Sequence, residues 1–290
     1  MNNKLKGIIF ILLAAVGFSL MTFFVRLSGD LPTMQKAFFR NIVALMVAGV
    51  TLIKTKESLV VERGCWTPLL GRCFFGTVGI IANFYAIDRL GIADANMLNK
   101  LSPFFAIILS IFILKEFPKR VDILATIVAF VGALFIIRPT GAFTSAFPAF
   151  IGLLGGFGAG TAYVLVRKVT QKNVKTPVIV FYFSFFSSIV TLPYLIKEYT
   201  PMSVGQIICL LMAGVSASLG QFSITTAYKY APAKEISVFD YTQVVFAALL
   251  GIIFFKETPT LYSIIGYVLI IGVAIFRWYI NLKEDYRLLD

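Results

Sequence analysis

Two charged side chains stand deep inside apolar runs. Lys100 lies in the run 91–114 and Asp240 in the run 232–255, and each run is otherwise charged only near its start. A rise of 1.5 Å per residue, counted from Gly91 and Pro232, puts Lys100 about 13 Å and Asp240 about 12 Å along a helix, near the middle of a hydrocarbon layer about 30 Å thick. A charge there costs about 2.5–3.5 kcal/mol on insertion scales, which makes both residues functional candidates. Asn96, Asn99 and Lys100 sit at i, i+3 and i+4 on one helical face, and Ser237, Asp240 and Tyr241 repeat that spacing. A cation, an anion and several hydrogen-bonding groups on two facing stripes suit a small polar ligand. The same residues suit an ion pair that merely holds two halves of the molecule together, and the sequence leaves both readings open. Asn83, Gln221 and Gln243 are further candidate ligand contacts. Asp240 is also the candidate for a coupling proton, since a carboxylate can take one up and release it.

Arg40 lies about 9 Å from the start of its run. There it can attract an anionic group, or its long stem can carry the charge to the interface. Arg72 is expected to be shallower and to anchor its span. Asp94 and Glu235 sit near helix starts, where a carboxylate favours the positive end of the dipole. Glu116 and Glu257 precede Pro118 and Pro259 and are expected to form turns. Phe18, Tyr85, Tyr163 and Tyr228 are aromatic candidates for lining a ligand site.

Much chemistry is excluded. The chain has no histidine, which removes Ser-His and Cys-His dyads and imidazole metal sites. Cys65, Cys73 and Cys209 form no Cys-x-x-Cys pair. Gly156-x-Gly158-x-Gly160 lacks the Lys-Ser/Thr and βαβ context of a nucleotide loop, and small residues at this spacing serve close helix packing. No cofactor, metal or nucleic-acid partner is expected. The net charge of +12 is carried by residues flanking hydrophobic runs rather than by a basic domain.

The elements that position these residues follow from composition. Of 290 residues, 59% are apolar and only 14% charged, against about a quarter charged in ordinary soluble domains. Apolar runs cover 5–29, 34–53, 68–88, 91–114, 121–138, 149–171, 175–196, 203–228, 232–255 and 259–281. Each is long enough to cross a bilayer. With the N-terminus inside, eighteen of the 26 Lys and Arg fall on the inner side and eight elsewhere. This predicts both termini in the cytoplasm and a multi-pass protein of the plasma membrane, in a bacterium the inner membrane.

Slid on itself by 141 residues, the sequence aligns 7–138 with 148–279 without a gap. Val25-Arg26 meets Val166-Arg167, Gly79 meets Gly220, and Lys115-Glu116-Phe117-Pro118 meets Lys256-Glu257-Thr258-Pro259. Apolar composition does not place such motifs at one common offset. The expected organisation is a first repeat at 1–138, a linker at 139–148 and a second repeat at 149–290. Five spans per copy is an odd number, so the copies are inverted about an axis in the membrane plane, as recurs in secondary transporters. Gly17 and Gly158 match, predicting a tight crossing of the first and sixth spans. The fold class is therefore an all-α polytopic membrane protein of ten helices in two inverted five-helix repeats.

Leu101-Ser102-Pro103 in the fourth span, the apolar stretch ending Lys115-Glu116-x-Pro118, and Arg40 near the start of the second span resemble the EamA-type branch of the drug/metabolite transporter superfamily. The likeness covers nearly the whole chain. Val244 stands where the second copy would carry the family's proline, so that copy is expected to bend less. The resemblance implies a ten-helix metabolite carrier with a cavity between its halves. The expected function is alternating-access transport of a small polar or zwitterionic metabolite, of the amino acid, nucleoside or nucleotide derivative, or amine class. A channel and an intramembrane enzyme are the alternatives. The expected partners are the metabolite, membrane lipid and a coupling proton.

Overall fold

The computed structural model describes residues 3–90, 92–137, 146–256 and 258–286. The helices in chain order are α1 Asn3–Leu27, α2 Thr33–Thr55, α3 Trp66–Leu90, α4 Ile92–Asn99, α5 Ser102–Leu114, α6 Arg120–Ile137, α7 Ala146–Thr170, α8 Thr176–Lys197, α9 Val204–Tyr230, α10 Ala233–Ile236, α11 Thr242–Phe255 and α12 Leu261–Tyr286. Together α4 and α5 make the fourth span, while α10, a 3-10 turn at Ser237–Tyr241 and α11 make the ninth. Among the described residues ten spans are long and apolar enough to cross a membrane. Their outward faces carry Met46, Ile53, Phe112, Val204 and Ile253, all exposed. In lipid that exposure costs nothing, which is why the inward faces hold the polar residues instead. The side chain of Asp94, Glu257, and the expected linker as far as residue 145 lie outside the described residues.

Packing obeys the 141-residue offset. Helix α1 runs along α9 and α3 along α7, and exchanging the halves turns one pair into the other. Helices α2 and α8 pack together, as do α6 and α12, and each of these pairs maps onto itself. The two half-helices close alike: Lys115 and Lys256 adopt left-handed conformations (φ 58° and 55°), and past the first of them the Glu116 N–H donates back to Ser110 O at 3.2 Å. The matched Lys-Glu-x-Pro motif is thus a helix stop.

Association of helices in lipid depends on close van der Waals approach. A methyl group on Gly17 would come within 2.6 Å of Gly220 N, and one on Gly158 within 3.0 Å of Gly79. The matched glycines therefore do not join the first span to the sixth, as expected above. They make two equivalent crossings, α1 on α9 and α7 on α3. The offset aligns Gly17 with Gly158 and also Gly79 with Gly220, so the four residues fit either pairing, and only the three-dimensional exchange chooses.

Both spans that carry the central charges are interrupted. Pro103 has no N–H to offer the Asn99 carbonyl, and the N–H groups of Phe104 and Phe105 both turn to Leu101 O (3.0 and 3.2 Å). That frees the carbonyl of Lys100. The second copy was expected to bend less for want of a proline. It is interrupted too, by tightening into the 3-10 turn that carries Asp240. The glycine face of α7 accommodates the break in the fourth span: a methyl on Gly156 would meet Leu98 O at 2.6 Å, and one on Gly160 would meet Ser102 O at 2.7 Å. In the equivalent place Ser19 Oγ donates to Gln243 O at 2.9 Å.

Candidate functional site

Lys100 and Asp240 meet between the halves. Lys100 Nζ lies 3.1 Å from Asp240 Oδ2 and donates to Gln243 Oε1 at 2.8 Å. Their side chains retain only 9% and 7% exposure. Although Lys100 falls just beyond the end of α4, its N–H still donates to Asn96 O at 2.9 Å, so the turn holds it on the expected face. In a 3-10 turn side chains three apart eclipse, which keeps Ser237 and Asp240 aligned. Tyr241 closes the junction by donating its hydroxyl to the carbonyl of Lys100 at 2.9 Å. Residues 100 and 241 are equivalent under the offset, and each reaches into the opposite copy.

The other candidates divide. Ser237 is buried, 3.5 Å from the Tyr228 hydroxyl. Tyr228 stacks on Tyr163 (centroids 5.1 Å, 16° between planes). These aromatics join the centre. Tyr85 does not: it packs edge-on to Phe147. Phe18 lies over Gly220 at the helix crossing. Asn96 and Asn99 are half-buried, as is Asn83, whose Oδ1 is enclosed without a hydrogen-bond donor.

Both arginines turn inward. Arg40 is 8% exposed and directs Nε to Met21 Sδ at 3.1 Å, so its stem does not carry the charge to an interface. Arg72 is 3% exposed rather than a shallow anchor, and Nη2 donates to Gln221 Oε1 at 3.0 Å. The expectation failed because a 3-10 turn at Arg63–Cys65 leads directly into α3 at Trp66, two residues before the anticipated start, which carries Arg72 deeper.

A second polar layer lies at the end where α1 begins and α12 finishes. Among the described residues four ion pairs join the two halves there: Glu116 with Arg167 (2.7 Å), Asp122 with Arg277 (2.5 Å), Glu57 with Lys175 (3.7 Å) and Lys4 with Glu235 (4.0 Å). Lys234 Nζ adds a bond to Phe117 O at 2.8 Å, and Arg167 Nη1 one to Tyr228 O at 3.1 Å. Glu116 is therefore more than a turn residue, and Glu235, besides standing in the first turn of α10, reaches Lys4. Asp122 and Arg277 escaped the sequence reading because each lies near the end of its span, where charges usually meet water.

A ten-span chain built of two inverted halves, with a cation, an anion and amides enclosed at their junction, has the architecture of a membrane transporter. The chain belongs to the EamA-like transporter family, which matches residues 5–138 and 146–278, once in each half. It is thereby a member of the drug/metabolite transporter superfamily and of a family of transporters rather than enzymes. The pseudopaline exporter CntI of Pseudomonas aeruginosa is 31% identical over 272 residues, covering 93% of this chain and 95% of that protein. An uncharacterized transporter of Helicobacter pylori is 28% identical over 93% of each chain. Human solute carrier family 35 member G1 is 28% identical over 96% of this chain and 81% of its own. A solved crystal structure superposes with a TM-score of 0.81 at 16% identity, over 94% of this chain and 95% of the other, a likeness of fold.

Proposed function

We propose that this protein is a secondary carrier of the plasma membrane that moves a small polar or zwitterionic metabolite by alternating access, with both termini in the cytoplasm. The observation that carries the reading is the Lys100–Asp240 pair, one residue from each half, enclosed midway along interrupted helices. Interrupted spans at a repeat interface are where transporters of inverted design bind their cargo, because freed backbone groups and charges can be satisfied by a ligand. The basic residues flanking the spans support the orientation. In that orientation the four ion pairs lie at the cytoplasmic end and hold it shut, and transport proceeds by opening them as the other end closes. A metabolite exporter among the relatives is in keeping with a metabolite cargo.

Reconstituted in vesicles, the protein is expected to show saturable counterflow of one labelled metabolite out of a panel of amino acids, nucleosides and amines. Flux that rises linearly with concentration indicates a channel instead. Asp240 is the proposed proton carrier: in Asp240→Asn the ratio of gradient-driven uptake to counterflow at equal pH, both measured on that variant, falls to the value without a gradient. A gradient response unchanged in that variant assigns the proton elsewhere.

A further inference from the structure

Arg40 and Arg72 are treated unlike the other enclosed arginines of this chain. Arg277, 2% exposed, has Asp122, and Arg167 has Glu116. Neither Arg40 nor Arg72 has a carboxylate within ion-pair distance among the described residues, although they are 8% and 3% exposed. Arg40 is met by a thioether sulfur, a weak acceptor. Arg72 is met by one amide oxygen, and its Nε is enclosed with no acceptor at all.

The Arg72 guanidinium nevertheless sits in a fitted slot. Its plane lies over the Phe183 ring at 3.9 Å, and it crosses Gly76, where a methyl group would overlap Arg72 Nη1 and approach Phe183 to 2.8 Å. A side chain held between a ring and a bare backbone has little rotamer freedom left to lose when it binds. One turn of α1 ties this arginine pair to the Lys100–Asp240 centre: Met21 meets Arg40, Phe18 lies over Gly220 beside the Gln221 that holds Arg72, and Ser19 donates to the backbone of Gln243, whose side chain holds Lys100. Around that centre the described groups set three cations, Arg40, Arg72 and Lys100, against the one carboxylate of Asp240. Enclosed charge without a partner is costly, and a planar guanidinium with open donors pairs bidentately with a carboxylate.

Building on the carrier reading above, we infer that the cargo is an organic anion with at least two carboxylates, held by Arg40 and Arg72. Two carboxylates offset the excess of two positive charges and leave Asp240 to Lys100.

The test is thermal unfolding of the purified full-length protein with succinate and glutarate, against acetate, L-glutamine, putrescine and phosphoserine. The expected result is a dose-dependent rise in midpoint with the two dicarboxylates only. Arg40→Gln or Arg72→Gln should weaken that response about 30-fold or more. Protection by glutamine or putrescine that survives both substitutions but is lost in Lys100→Gln overturns the dicarboxylate assignment and leaves the carrier site standing. Preference for phosphoserine overturns the carboxylate assignment alone. No protection by any probe counts against both. A second arm needs no ligand: Arg40→Met, which removes an uncompensated charge at similar volume, should raise the midpoint of the empty protein, and a lowered midpoint would show the arginine to be structural.

Discussion

Asp240→Leu is expected to be among the least stable single variants of this protein, and adding Lys100→Met is expected to restore the fold but not transport. Removing one partner of an enclosed ion pair strands the other charge, at a cost of about 3–5 kcal/mol, whereas replacing both with apolar residues is often neutral or stabilising. The 3.1 Å pair between Lys100 and Asp240, with side chains 9% and 7% exposed, meets that condition. The double variant should therefore unfold within a few degrees of the parent in detergent while its counterflow falls to the level of empty vesicles. This outcome separates the two readings that the sequence left open. If the pair only holds the halves together, the double variant transports as the parent does. Thermal midpoints and initial counterflow rates on the same preparations decide it.

The second large effect lies in the layer of ion pairs, away from the Lys100–Asp240 centre. Asp122 Oδ2 also accepts the Lys119 N–H at 2.7 Å, so it caps the start of α6 while its other oxygen pairs with Arg277. Both side chains are 2% exposed, and two further nitrogens of Arg277 already lack acceptors. Asp122→Ala is expected to cost about 3–5 kcal/mol by stranding the guanidinium, with about 1 kcal/mol more for the lost cap. The Lys175–Glu57 pair, with side chains 56% and 34% exposed, supplies the contrast at the same end. Glu57→Gln should change stability by no more than about 1 kcal/mol. Urea or thermal unfolding of both variants checks the difference, and equal stability for the two would mean that Asp122 and Arg277 are hydrated.

The spans were legible because lipid imposes a length and a composition on every crossing segment, and none of the ten departs from its anticipated bounds by more than about five residues. Charged groups at mid-membrane were legible for the same reason: Lys100 and Asp240 stand out against apolar neighbours, and the repeat offset pairs their stripes. What the sequence withheld was partnership. Nothing in the spacing says that Gly17 meets Gly220, because a helix crossing depends on how the two copies interleave rather than on which residues are equivalent. Arg72 was underestimated by a small error in where its helix begins. The Glu116–Arg167 and Asp122–Arg277 pairs lie at span ends, a place where charge is usually solvated and so carries little signal. Val244 was misjudged because a proline is one route to an interrupted helix and a 3-10 turn is another.

The central claim is that the Lys100–Asp240 centre opens to each side of the membrane in turn. Gln243, half-buried and bonded to Lys100 at 2.8 Å, reports on it directly. With Cys65, Cys73 and Cys209 replaced by alanine, a Gln243→Cys variant can be exposed to a membrane-impermeant thiol reagent in right-side-out and in inverted vesicles. The account predicts modification from both faces, slowed when transported metabolite is present. Modification from neither face would contradict it.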